Sequence, residues 1–177
     1  KAIDAFEEKE FWQTYMQDFN EPSLLPFCKA LHERNKGKGK YERITIDFDA
    51  ELTQKINDFS KAQHVTPNTL TQAVWAILLS KYTGFKDIVY GVTVSGRPAE
   101  LNYDSKVGLY INTIPLRAKL DQNQTITDFL AMLQKTSVTA RNFQHTSLNK
   151  IQQWNEIKGD CFDTLLSFTN YPSKSSD

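Results

Sequence analysis

The residue types that could do chemistry gather most densely between Gly91 and Leu101, where an apolar run ends in Ser95-Gly96-Arg97-Pro98. A strand ending in this tetrapeptide places a hydroxyl, a close-approach backbone and a guanidinium at one strand terminus. Strand termini of α/β sheets are common ligand sites. The same residues also suit a plain turn, in which Gly96 bends the chain and Arg97 makes a structural ion pair. Residue chemistry alone leaves both readings open. Elsewhere the reactive types are scattered. His32, His64 and His145 stand alone, with no HExxH or comparable spacing, so no metal site is expected. Cys28 and Cys161 belong to no CxxC pair and read as ordinary cytosolic thiols rather than a disulfide framework. Lys36-Gly37-Lys38-Gly39-Lys40 lacks the rest of a P-loop and reads as a solvated linker. No GxSxG elbow, Walker loop or dinucleotide fingerprint occurs, so no self-sufficient catalytic constellation is expected.

The elements that must position these groups follow from hydrophobic periodicity. From Asp4 to Phe19, the residues Trp12, Tyr15, Met16 and Phe19 recur at helical spacing, and Glu21-Pro22 ends the segment. Ile44, Ile46 and Phe48 alternate with Arg43, Thr45 and Asp47, which predicts a half-buried strand. Asp49 can then cap a helix with Leu52, Ile56 and Phe59 on its inner face. Thr66-Pro67 opens the next helix, whose buried stripe is expected to be Leu70, Ala73, Val74, Ile77 and Leu78, with Gly84 as its stop. Ile88 to Val94 is a continuous apolar run rich in β-branched residues, the pattern of a strand covered on both faces. A turn-prone segment from Ser95 to Ser105 leads to a second strand, Val107 to about Leu116. Thr125 to about Phe143 reads as a capped helix, Ser147 starts a short one bearing Leu148, Ile151 and Trp154, and a last strand runs near Phe162 to Phe168. Interleaved strands and helices predict an α/β fold, a two-layer sandwich of a mixed sheet with helices.

Bulk properties set outer limits. The 177 residues fit one domain, or one lobe of a larger one. Lysine plus arginine and aspartate plus glutamate both number 21, so a broad nucleic-acid or anionic-membrane surface is not expected. No apolar run approaches the roughly 20 residues of a membrane span, and no signal peptide opens the chain, so a cytoplasmic location is expected. The chain starts at Lys1 without a methionine and is expected to be a piece of something larger.

Several motifs, in order, resemble one family. Ser95 to Leu101 followed by Val107-Gly108-Leu109-Tyr110-Ile111-Asn112-Thr113-Ile114-Pro115-Leu116-Arg117 is similar to the condensation domains of nonribosomal peptide synthetases. The second run resembles their (I/V)GxFVNT…R motif, with Tyr110 where phenylalanine is usual. Thr69 to Ala76, through Tyr82-Thr83-Gly84, looks like the helix that leads into it. His145 to Trp154, Phe162 to Pro172 and Phe11-Trp12 resemble the family's remaining segments in this region, His145 its sixth motif's histidine.

The resemblance implies a chloramphenicol-acetyltransferase-like lobe, one of two arranged in a V around a tunnel. On that reading residues 1–177 are part of the C-terminal subdomain of a condensation domain. Donor and acceptor carrier proteins dock at opposite ends and insert phosphopantetheine arms, no cofactor being bound intrinsically, and the acceptor amine attacks the donor thioester. The family's HHxxxDG motif belongs to the N-terminal lobe, and this sequence contains no HH pair, so the chain alone is expected to be inactive, with no catalytic residue of its own. The resemblance places Ser95, Gly96, Arg97 and Asn112 along the tunnel. Arg97 or Arg117 could pair with a carboxylate of the partner lobe. The implied partners are that N-terminal lobe and carrier domains, with no nucleic acid, membrane or metal. The missing GHGRE motif speaks against epimerisation, while heterocyclisation stays open. Two other readings share the fold: a non-catalytic module that docks carriers, and a lobe of a coenzyme A-dependent acyltransferase.

Overall fold

The computed structural model describes residues 4–29, 33, 39–95 and 111–169. The described residues form five helices and a small sheet, the helices being α1 (Ala5–Met16), α2 (Ala50–Ala62), α3 (Pro67–Thr83), α4 (Ile126–Arg141) and α5 (Leu148–Trp154). The strands are β1 (Asp87–Ser95), β2 (Ile111–Lys119) and β3 (Leu165–Leu166), in the order β2-β1-β3. β1 runs antiparallel to β2, from Asp87↔Lys119 to Ser95↔Ile111, and parallel to β3, so the sheet is mixed. α3 packs on β1 and on α4, α4 packs on β2, and α1 packs on α5.

Local chemistry explains the helix ends. Asp4, Asp49, Thr66, Thr125 and Ser147 each accept a hydrogen bond from a first-turn backbone N–H, satisfying donors that lack an intrahelical partner. Gly84 ends α3 at φ 78°, in the left-handed region where a side chain is disfavoured. α1 stops at Met16, three residues short of the expected end, before Asp18 turns the chain at φ 62°.

β1 is covered on both faces, as its composition predicts. Ile88, Tyr90 and Val92 share one face, and Tyr90 donates to the Gln72 carbonyl of α3 over 2.9 Å. Gly91, on the opposite face, meets the Phe162 ring: a Cβ there would lie 2.7 Å from Phe162 Cε2 and 3.1 Å from Thr113 Cγ2. Gly91→Ala is therefore expected to destabilise the fold by about 1–3 kcal/mol through overpacking. The chemical-unfolding midpoint measures it, and adding Phe162→Leu should recover part of the loss. No loss in the single variant would mean that the ring yields freely.

Several expectations need correction. Residues 40–49 form no ladder, and Ile44 and Ile46 are 89% and 76% exposed. Alternating apolar residues need a backbone partner to become a strand, and none of the described residues pairs with this segment. On α2 the expected inner face is mostly outward: Leu52 and Phe59 are exposed, Ile56 is half-buried, and the buried residue is Ser60. On α3 the buried face is Thr69, Gln72, Ala73, Ala76, Leu79 and Ser80, while Val74 and Leu78 point outward and Leu70 and Ile77 are only partly covered. Small residues face the sheet there, so the helix approaches closely enough for Tyr90 to reach its backbone. The expected strand 162–168 is reduced to Leu165–Leu166 plus a single bridge between Ser23 and Phe162. The Ser95–Ser105 turn beyond Ser95, the start of the second strand before Ile111, and most of the lysine–glycine loop lie outside the described residues.

Candidate functional site at the strand ends

The β1–β2 register sets Ser95 opposite Ile111 and Val94 opposite Asn112, so the two sequence motifs meet at one end of the sheet. A cavity of about 360 Å³ opens there. β1 lines it with Thr93, Val94 and Ser95, β2 with Ile111, the end of α4 and its following turn with Arg141 and Gln144, and the chain after β3 with Ser167, Phe168 and Thr169. Its wall mixes hydroxyls, an amide and a guanidinium with apolar surface, the composition of a small-molecule site.

Ser95 is exposed on this cavity, and its hydroxyl is free to donate to a bound group. Asn112 stands behind the wall. Its Nδ2 donates to the carbonyls of Gln144 (2.7 Å) and Thr146 (2.8 Å), and its Oδ1 accepts from the Thr113 N–H (2.8 Å). A half-buried amide with both donors engaged fixes the turn between α4 and α5, and with it Gln144. Gly96 and Arg97 lie outside the described residues. Sequence reasoning did not single out Arg141 or Gln144, and it named Ser167–Thr169 only within the Phe162 to Pro172 resemblance, not as site residues. They come from helix and strand ends distant in sequence, and only the packing of α4 and β3 around β1 brings them together.

The same turn is held from below by a buried polar chain. Trp12 Nε1 donates to Thr146 Oγ1 over 2.9 Å, and that hydroxyl donates to the Glu8 carboxylate. His145 Nε2 lies 3.4 Å from Glu8 Oε1 on the exposed side. Arg117 is engaged inside the chain: it forms a forked pair with Asp87 at 2.9 and 2.6 Å and donates to the carbonyls of Tyr15 and Gln17. Both cysteines are free, and burial pushes the Cys161 thiol up to about 11, so it stays protonated at neutral pH. Among the described residues no three His, Cys, Asp or Glu side chains gather closely enough to hold a metal ion. No described helix is long and apolar enough to cross a membrane.

Fold and cavity together define an α/β domain whose pocket sits at strand termini. The chain belongs to the condensation-domain family, whose model, described as Condensation domain, matches residues 3–177. Bacitracin synthase 3 of Bacillus licheniformis is 32% identical over 169 residues, which are 95% of this chain and 3% of that protein. The chain therefore spans only a small part of the relative it matches. The X-domain from teicoplanin biosynthesis shares the fold at a TM-score of 0.79 and 18% identity, over 93% of this chain and 37% of that one. The first condensation domain of the calcium-dependent antibiotic synthetase, in complex with a substrate analogue, gives 0.67 and 17% over 92% and 36% of the two chains.

Proposed function

We propose that this chain is part of the C-terminal subdomain of a peptide synthetase condensation domain and supplies one wall of its substrate tunnel. The observation that carries the reading is the cavity where the Ser95 and Asn112 motifs converge, in a chain that matches the condensation family over residues 3–177. An N-terminal lobe completes the tunnel, and carrier proteins deliver donor and acceptor on phosphopantetheine arms in the cytoplasm. The acceptor amine attacks the donor thioester carbonyl. A C–N bond forms, the C–S bond breaks, and the amine proton leaves while the donor thiol is released protonated. Ser95, Gly96 and Arg97 line the path of the arm, and Asn112 holds the turn that carries Gln144. The chain has no HH pair, so the group that positions or deprotonates the amine comes from the other lobe.

Product formation from two substrate-loaded carriers tests this, comparing the chain alone with a polypeptide extended upstream through the partner lobe. Amide from the extended polypeptide only is the expected result, and Ser95→Ala should then lower its turnover. No amide from either, with both folded and cognate carriers supplied, would sink the reading in favour of a module that docks carriers. Acyl transfer to or from free coenzyme A would point instead to an acyltransferase of the same fold.

A further inference from the structure

Arg141 is the one ionised side chain among the described residues that line the cavity at the strand ends. No carboxylate is among those lining residues. Among the described residues its guanidinium has no ion pair and no hydrogen bond, unlike Arg117, which is fully engaged. Its place in the last turn of α4 accounts for a positive charge, because helix C-termini favour cations, but that preference is met without turning the side chain toward a cavity. The same cavity is lined by Ser95, Ser167 and Thr169, which carry hydroxyls, and by Gln144, which carries an amide. Hydroxyls and amides complete the coordination of an oxyanion that a guanidinium attracts, and a planar fork suits carboxylate or phosphate oxygens.

We infer that Arg141 and these neighbours form an oxyanion subsite that grips a negatively charged group of the carrier-borne substrate. The inference rests on the tunnel reading given above and deepens it. Two sources supply such a group: the phosphodiester of the pantetheine arm, and a carboxylate on the acyl group. Their shared chemistry is what the subsite recognises.

Calorimetric titration of the intact polypeptide that contains this chain separates the sources. The probes are acetyl-pantetheine, which is neutral, 4′-phosphopantetheine, and glutaryl-pantetheine. One or both anionic probes should bind about tenfold more tightly than acetyl-pantetheine, the scale of one charge-assisted contact. Arg141→Gln should erase that advantage and leave acetyl-pantetheine binding unchanged, while Arg141→Lys should keep part of it. Arg141 is exposed, so neither variant endangers the fold. An advantage for phosphopantetheine alone assigns the subsite to the arm, and one for glutaryl-pantetheine alone assigns it to an acidic acyl group. Equal binding of all three probes, or an advantage that survives Arg141→Gln, overturns the inference. Because binding is read without turnover, its failure is distinct from a failure to form amide in the carrier assay.

Discussion

Trp12→Ala is expected to cost about 3–5 kcal/mol of folding stability, the range for deleting a large aromatic from a core. Trp12 is fully buried, and its ring meets Phe11 edge-on at 5.0 Å and Tyr15 at 5.3 Å between centroids. Truncation leaves a void that these rings fill only in part. It also removes the donor that Trp12 Nε1 offers to Thr146 Oγ1, in a chain ending at the buried Glu8 carboxylate. Trp12→Phe separates the two contributions. It keeps much of the packing and loses the hydrogen bond, so about 1–3 kcal/mol should go. Trp75 and Trp154 remain as fluorescence reporters of unfolding in both variants. Equal midpoints for Trp12→Phe and wild type would mean that the indole N–H does no structural work. A Trp12→Ala loss below about 1 kcal/mol would contradict the packing seen around it.

The helix starts were readable because each rests on a contact within four residues: an oxygen on Asp4, Asp49, Thr66, Thr125 or Ser147 and an N–H one turn on. β1 was readable because a strand buried on both faces must be apolar at every position. What failed depended on partners distant in sequence. Alternation at Ile44, Ile46 and Phe48 has the period of a strand, but no described neighbour supplies a ladder. The rotation of α3 was missed for a different reason. Apolar content marks Val74 and Leu78 as core, yet the sheet takes the face bearing Ala73, Ala76 and the polar Gln72 and Ser80. Close approach of helix to sheet favours small residues, and hydropathy does not register size.

The site divides in the same way. Ser95 stood out because it ends an apolar run, Asn112 because its motif resembles that of the family, and the register brings the two together. Their roles then diverge. Ser95 opens onto the cavity, whereas Asn112 works through the backbone of Gln144 and Thr146. Nothing in the sequence marks Arg141 as different from any cation closing a helix. Its difference is the cavity it faces, which exists only after β1, β3 and α4 have packed.

Asp87→Ala should be nearly as damaging as losing Trp12, at about 3 kcal/mol, because it strands a buried cation. The Arg117 side chain is 5% exposed, and Asp87 is its only described carboxylate partner. The two carbonyls it also meets, those of Tyr15 and Gln17, carry only partial charge. This arginine therefore joins β1, β2 and the end of α1. Tyr15 works at the same joint: its phenol accepts from the Arg117 N–H over 2.9 Å and reaches the Pro115 carbonyl at 3.4 Å. One hydroxyl thus serves two backbone groups on the side of β2 that pairs with no described strand, where Pro115 has no N–H to offer. Burial raises the Tyr15 phenol well above its usual range, so it stays protonated and able to donate. The sign of the pair's contribution is tested by adding Arg117→Met to Asp87→Ala. With the stranded charge gone, the double variant should be more stable than Asp87→Ala alone, though short of wild type, because the carbonyls of Tyr15 and Gln17 lose their donor. A double-mutant cycle on unfolding midpoints reads this directly. Additive losses would show that the ion pair is not coupled, and that solvent reaching the one-third-exposed Asp87 already screens it.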